Sequence, residues 1–174
     1  RIGILGMGRI GQRVAHSLAA LGFPVAGFSR SGTPIDGIEI YGPEQRAAFL
    51  ARTDLLICLL PLTDDTKGIL CAELFAGLPQ GALLVHAGRE RHIVMDDLRA
   101  ALDSGQLAAA ALDVTNPEPL PHGHWAWSDP RVIVTPHIAS NTDAAEGAAH
   151  VVAVIEAGRA GKPLPGALDP VTGY

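Results

Sequence analysis

Ile2-Gly3-Ile4-Leu5-Gly6-Met7-Gly8-Arg9-Ile10-Gly11 stands at the head of this chain, and its reading decides the fold. A glycine pattern alone is a weak signal, and its context strengthens it. Residues 1–5 read as a short buried strand. Residues 9–21 place Ile10, Val14, Leu18 and Leu21 at helical spacing, and Gly22 stops the run. Strand, glycine turn and helix therefore follow in the order of a dinucleotide-binding fingerprint. Each glycine has a physical task there. Gly6 makes the tight turn, Gly8 lets backbone approach a pyrophosphate, and Gly11 lets the helix pack close to the strand. The helix N-terminus offers free N–H groups and the positive end of its dipole to phosphates. A nicotinamide or flavin dinucleotide is the expected ligand.

The second strand, Pro24 to Phe28, should end beside the adenosine ribose. An NAD site usually carries Asp or Glu there, to accept from the ribose hydroxyls. This chain has Ser29-Arg30-Ser31 instead. Arg30 can bind a 2′-phosphate through a charge-assisted fork, and the serines add hydroxyl donors. NADP(H) is therefore expected over NAD(H). Asp36 lies farther along a Gly/Pro-bearing loop and is a poor substitute for the absent acid.

Composition bounds the function classes. The 174 residues can bury one respectable core. A net charge of −5 argues against a general nucleic-acid or membrane surface. No apolar run approaches the roughly 20 residues of a membrane span. Cys58 and Cys71 share no metal or redox spacing, and they read as reduced thiols of a cytoplasmic protein.

Beyond the fingerprint, strand and helix alternate. A Gly/Pro-rich loop covers 32–43 and a short helix 44–51. A strand at 54–59 leads into the loop Pro61 to Thr66. A helix follows near 71–77, a strand at 82–86, a helix at 96–103, strands at 107–112 and 131–135, and a long helix over 142–160. Six strands interleaved with helices predict a parallel, doubly wound α/β sheet, a Rossmann dinucleotide-binding domain. The expected organisation is a cofactor domain over 1–150 followed by a C-terminal segment over 151–174.

Five stretches in order carry a wider likeness: the fingerprint; Leu60-Pro61-Leu62-Thr63; the segment around Arg89; Leu112-Asp113-Val114 with Pro117-Glu118-Pro119-Leu120-Pro121; and Thr135-Pro136-His137-Ile138-Ala139. Together they resemble the D-isomer-specific 2-hydroxyacid dehydrogenases, nearest to the glyoxylate/hydroxypyruvate reductase branch. Gly22-Phe23-Pro24, Phe28-Ser29-Arg30-Ser31 and the ending Leu168-Asp169 to Gly173-Tyr174 suit that branch.

The resemblance implies a catalytic set of Arg89, Glu118 and His137, acting on a small 2-oxo or 2-hydroxy acid. Arg89 would hold the substrate carboxylate and carbonyl oxygen. Glu118 would pair with His137, the proton donor, and Asp113 would contact the nicotinamide carboxamide. The implied cofactor contacts are Gly6, Gly8, Arg9, Ile10, Gly11, Ser29, Arg30, Ser31, Leu60, Pro61, Thr66, Ala87, Gly88, Asp113, His137 and Ser140. The resemblance also implies a homodimer, and a substrate-binding domain ahead of the fingerprint that this sequence does not contain.

Two departures stand out. Glu90 follows Arg89 where the family usually has glycine, and is expected to point into solvent. His86 stands where the family often has Asn. The pair His122 and His124, beside Trp125 and Trp127, lacks partners at metal spacing and reads as a packed loop; no metal is expected. His16, His92 and His150 read as helix or loop residues. A non-catalytic dinucleotide sensor acting through a protein partner is the alternative, and the retained Arg89, Glu118 and His137 argue against it.

Overall fold

The computed structural model describes residues 1–140 and 143–167. Its core is a seven-stranded sheet in the order β3-β2-β1-β4-β5-β6-β7. The strands are β1 (Ile2–Leu5), β2 (Val25–Phe28), β3 (Glu39–Tyr41), β4 (Leu55–Cys58), β5 (Ala82–His86), β6 (Leu107–Leu112) and β7 (Val132–Val134). Every neighbouring pair is parallel. The chain steps outward from β1 to β3, then returns to pair β4 with β1 and runs outward the other way. The strand order thus reverses at β1/β4, where open α/β sheets bind ligands outside the strands' carboxyl ends.

Side-chain alternation divides the core between two faces. On one face, Leu5, Leu56, Cys58 and Leu84 pack with Phe49, Phe75, Leu98 and Leu102. Those four come from the helices α2 (Arg46–Ala51), α3 (Ala72–Ala76) and α4 (Met95–Asp103). On the other face, Ile2, Ile4 and Ile57 pack with Ala15, Val14 and Leu18 of α1 (Arg9–Ala20). The long helix α5 (Ala144–Arg159) is capped at its N-terminus by Asp143, whose carboxylate accepts from the N–H groups of Ala145 and Glu146.

The sheet has seven strands where the sequence pattern predicts six. The additional strand, β3, lies inside the expected 32–43 loop. Three residues at a sheet edge are too short to show a period-2 signal. The expected 44–51 helix divides into a 3₁₀ turn at Pro43–Gln45 followed by α2. The chain forms two compact units, Arg1–His137 and Ile138–Tyr174. That division falls ahead of α5, where the sequence reading places a boundary at residue 150, inside the helix. Residues 141–142 and the expected return segment from Leu168 onward lie outside the described residues.

Candidate active site

Because all seven strands run parallel, the residues that follow β1, β2, β4, β5, β6 and β7 emerge on one edge of the sheet. Every catalytic residue expected from the sequence, and the cofactor residues up to His137, lies on such a connection or at the helix start it leads into.

The glycine turn after β1 fits a dinucleotide. Gly6 has φ +98°, and a Cβ there would sit 2.8 Å from the Leu59 carbonyl oxygen, so both conformation and space require glycine. A Cβ on Gly11 would run into the Gly6 carbonyl oxygen. Gly8 has nothing within 4 Å of its missing Cβ, which leaves its backbone open to approach. Gly8 is also the N-cap of α1, with no side-chain cap and no acidic residue in the first turn. The first N–H groups of the helix thus keep their capacity for an anion. Arg9 and Ile10 stand exposed at that helix start, Ile10 at 63%.

A depression of about 580 Å³ opens beside this turn, lined by residues that include Met7, Gln12, His16, Ser29, Ser31 and Thr33. Ser29 Oγ accepts from Gly32 N–H at 3.1 Å, and Ser31 Oγ accepts from the Thr33 hydroxyl at 2.8 Å. The two hydroxyls thereby shape the loop that carries the exposed Arg30. The loop after β4 is braced by Thr66, whose hydroxyl donates to the Pro61 carbonyl at 2.8 Å and accepts from Thr63 N–H at 2.8 Å. Thr66 therefore holds Leu60 and Pro61 in place from within the loop. Ser140 is exposed in the second unit.

Glu118 and His137 meet directly: His137 Nδ1 lies 2.7 Å from Glu118 Oε1. The carboxylate accepts, so the proton sits on Nδ1 and Nε2 points elsewhere for chemistry. The backbone of His137 is unusual. Its φ of +56° is the only positive value at a non-glycine among the described residues. Such strain persists where surrounding bonds over-determine it, often at functional positions. Here the His137 N–H donates to the carbonyls of Asp113 and Thr135, each at 3.0 Å. The Thr135 hydroxyl donates to Asp113 Oδ1 at 2.6 Å. Asp113 thus binds the loop after β6 to the loop after β7.

Arg89 follows β5 with its side chain exposed; its Nη1 donates to the Gly88 carbonyl at 2.7 Å. Glu90 is also exposed and heads a 3₁₀ turn at Glu90–His92.

Below Arg89 lies a group that the sequence reading misses. His86 and His92 are both fully buried, and their ring nitrogens fall with Cys58 Sγ inside a 4.8 Å cluster. Nothing in the spacing of residues 58, 86 and 92 signals this, because three separate chain segments bring them together. Burial pushes the Cys58 thiol up to about 12. It pushes His86 down to about 4, with neighbouring His92 adding to the shift, and it lowers His92 as well. Both nitrogens of His92 are bonded to protein partners, Arg89 N–H and the Pro61 carbonyl. The cluster is thus a hydrogen-bonded brace, with no lone pair of His92 left for an ion.

The loop at 121–128 packs as expected. His124 Nδ1 accepts from Ala126 N–H at 3.3 Å, its ring lies 5.3 Å from that of Trp125, and Trp127 Nε1 donates to the Pro121 carbonyl at 2.9 Å.

Fold and turn together define a doubly wound, dinucleotide-binding domain. The chain belongs to the D-isomer specific 2-hydroxyacid dehydrogenase family, whose NAD binding domain matches residues 1–139. It is 50% identical over 174 residues to a curated glyoxylate/hydroxypyruvate reductase A of Serratia proteamaculans, covering 99% of this chain and 56% of that protein. A D-isomer specific 2-hydroxyacid dehydrogenase from Xanthobacter autotrophicus Py2, solved with NADPH and MES, superimposes with a TM-score of 0.96 at 39% identity, covering 100% of this chain and 72% of the other. An NADPH-dependent glyoxylate/hydroxypyruvate reductase from Sinorhizobium meliloti, solved with NADP and sulfate, gives a TM-score of 0.94 at 44% identity, covering 99% and 56%. The chain spans about half the length of the curated relatives it matches. No helix among the described residues is long and apolar enough to cross a membrane.

Proposed function

We propose that this chain is the cofactor-binding part of an NADPH-dependent reductase of small 2-oxo acids, with glyoxylate and hydroxypyruvate as substrates. The observation that carries the reading is the 2.7 Å pair of Glu118 and His137 on the same sheet edge as Arg89 and the Gly6–Gly11 turn. The reduced nicotinamide, when bound, supplies hydride to the carbonyl carbon of the acid. Arg89 binds the carboxylate and the carbonyl oxygen through its N–H fork, which orients the acid and stabilises charge developing on that oxygen. His137, as imidazolium, gives the proton on Nε2 to the forming alkoxide, leaving a 2-hydroxy acid. Glu118 fixes the ring through Nδ1 and stabilises its positive charge. Gly6, Gly8, Gly11 and the start of α1 would hold the pyrophosphate, and Asp113 would contact the carboxamide.

NADPH is preferred over NADH in this reading, because Arg30 follows β2 where an acid would repel a 2′-phosphate. The relatives solved with NADPH and NADP support that preference. Residues 151–174 belong to the segment returning toward the substrate-binding part of the whole protein, which acts in the cytoplasm as a homodimer. Calorimetric titration of the chain with NADPH and with NADH tests the cofactor reading. Tighter binding of NADPH, lost in Arg30→Asp, is expected. A preference for NADH refutes the Arg30 assignment, and binding of neither refutes the cofactor reading itself.

A further inference from the structure

We propose that His92 is a positioning residue for Arg89: it bridges the loop after β4 to the loop after β5 and, with His86, clamps the Arg89 backbone so that the guanidinium is presented to the substrate acid. The inference rests on the reading of Arg89 as the substrate-binding arginine.

The hydrogen bonds define the tautomers. Arg89 N–H donates to His92 Nδ1 at 2.9 Å. A backbone amide can only donate, so Nδ1 is bare and the ring proton is on Nε2. That Nε2 lies 3.2 Å from the Pro61 carbonyl, which can only accept. The two bonds require the same tautomer, and they connect Pro61 to Arg89 through one imidazole. The other backbone group of Arg89 is held in the same way. Its carbonyl lies 3.1 Å from His86 Nε2, so that nitrogen carries the proton and donates. Both backbone polar groups of one exposed arginine therefore end on buried histidine rings.

Three further observations fit a built clamp. The two rings meet edge-on with centroids 5.8 Å apart, so each limits the rotation of the other. A Cβ on Gly88 would fall 2.6 Å from His92 Nδ1 and 3.3 Å from His86 Cε1. The residue before Arg89 can thus carry no side chain while the rings stand where they are. His86 Nδ1 is buried without a partner among the described residues, a cost accepted for a ring whose other nitrogen holds the Arg89 carbonyl. The 88–89 peptide sets the direction of the Arg89 side chain, and misplacing a substrate-orienting group by about 1 Å can cost about 100-fold in rate.

Three His92 variants separate positioning from packing. His92→Asn keeps an acceptor near the Nδ1 position, facing Arg89 N–H. His92→Gln keeps a donor near the Nε2 position, facing Pro61. His92→Leu keeps neither. In the whole protein, Leu and Gln are expected to raise KM for glyoxylate by about tenfold or more, and Asn to restore it to within about threefold of the unaltered protein. NADPH affinity, read by calorimetry, is expected to hold in the Gln variant. Restoration by Gln as complete as that by Asn overturns the proposal, because the bond to Arg89 N–H is then not what the ring contributes to substrate binding.

Arg89→Gln is measured alongside. If it leaves KM for glyoxylate unchanged, the reading of Arg89 fails. The clamp is then judged by nitrogen-15 histidine spectra of the unaltered 174-residue chain, which need no activity and no variant. His92 and His86 are expected as neutral Nε2–H tautomers at neutral pH, with the Arg89 amide slow to exchange. A His92 ring protonated on Nδ1 overturns the clamp whatever the kinetics show.

Discussion

At the scale of single residues, the site depends on where protons sit. His137 gives its Nδ1–H to Glu118, so Nε2 is the atom left for the proposed proton transfer. Replacing His137 with Asn removes that proposed donor while sparing the glycine turn. His137→Asn should lower kcat for glyoxylate reduction by about 10²–10⁴-fold, with NADPH affinity nearly unchanged; equal losses in both would remove His137 from its role. A second prediction concerns the buried rings. His86 faces His92 and Asp113, and His92 faces the Pro61 carbonyl and Arg89. Both titrate below their ordinary value in the fold, so the unfolded chain binds more protons as pH falls below about 6.5. Stability is fully present above that value and declines as pH drops toward 4, the value reached by His86. Thermal melts between pH 7 and pH 4 should show this fall, and His86→Asn should flatten it. The glycine turn was legible at this scale from spacing, and resemblance singled out Arg89, Glu118 and His137 as the proposed catalytic set. The strained φ of His137 and the tautomers of His86 and His92 were not, because partners distant in sequence impose them.

At the scale of elements, the strand–turn–helix unit carries the binding function. Its geometry depends on α1 lying against the Gly6 carbonyl, which only glycine at position 11 allows. Gly11→Ala should push α1 off the turn and destabilise the fold by about 1–3 kcal/mol, while weakening NADPH binding more than a distant core change of equal cost. Melting temperature measured together with calorimetric affinity separates the two effects. The long alternations were readable: β5 and β6 follow the sequence pattern, and the other expected strands lie within a residue or two of it. The short edge strand β3 and the 3₁₀ turns at Pro43–Gln45, Glu90–His92 and Trp125–Trp127 were not, since three residues are too few to show a period.

At the scale of the whole molecule, a parallel sheet brings every functional connection to one edge. It also leaves apolar surface uncovered. Leu83 at 42% and Ile133 at 64% exposure lie on the sheet face that α1 occupies, on strands beyond those α1 covers. A dimer through this domain would remove such surface from water, and at about 25 cal/mol per Å² the gain is appreciable. Light scattering behind size exclusion should therefore give twice the chain mass; a monomer at all concentrations would refute the homodimer. The sequence by itself determined the α/β class and the glycine turn, and through resemblance it singled out Arg89, Glu118 and His137 as the proposed catalytic set, because periodicity and chemical identity are local properties that survive without coordinates. Only the tertiary structure decided that Cys58, His86 and His92 share one buried cluster and that Arg89 is gripped at both backbone groups. Those are contacts between connections that parallel pairing brings to a common edge, and no local pattern records them.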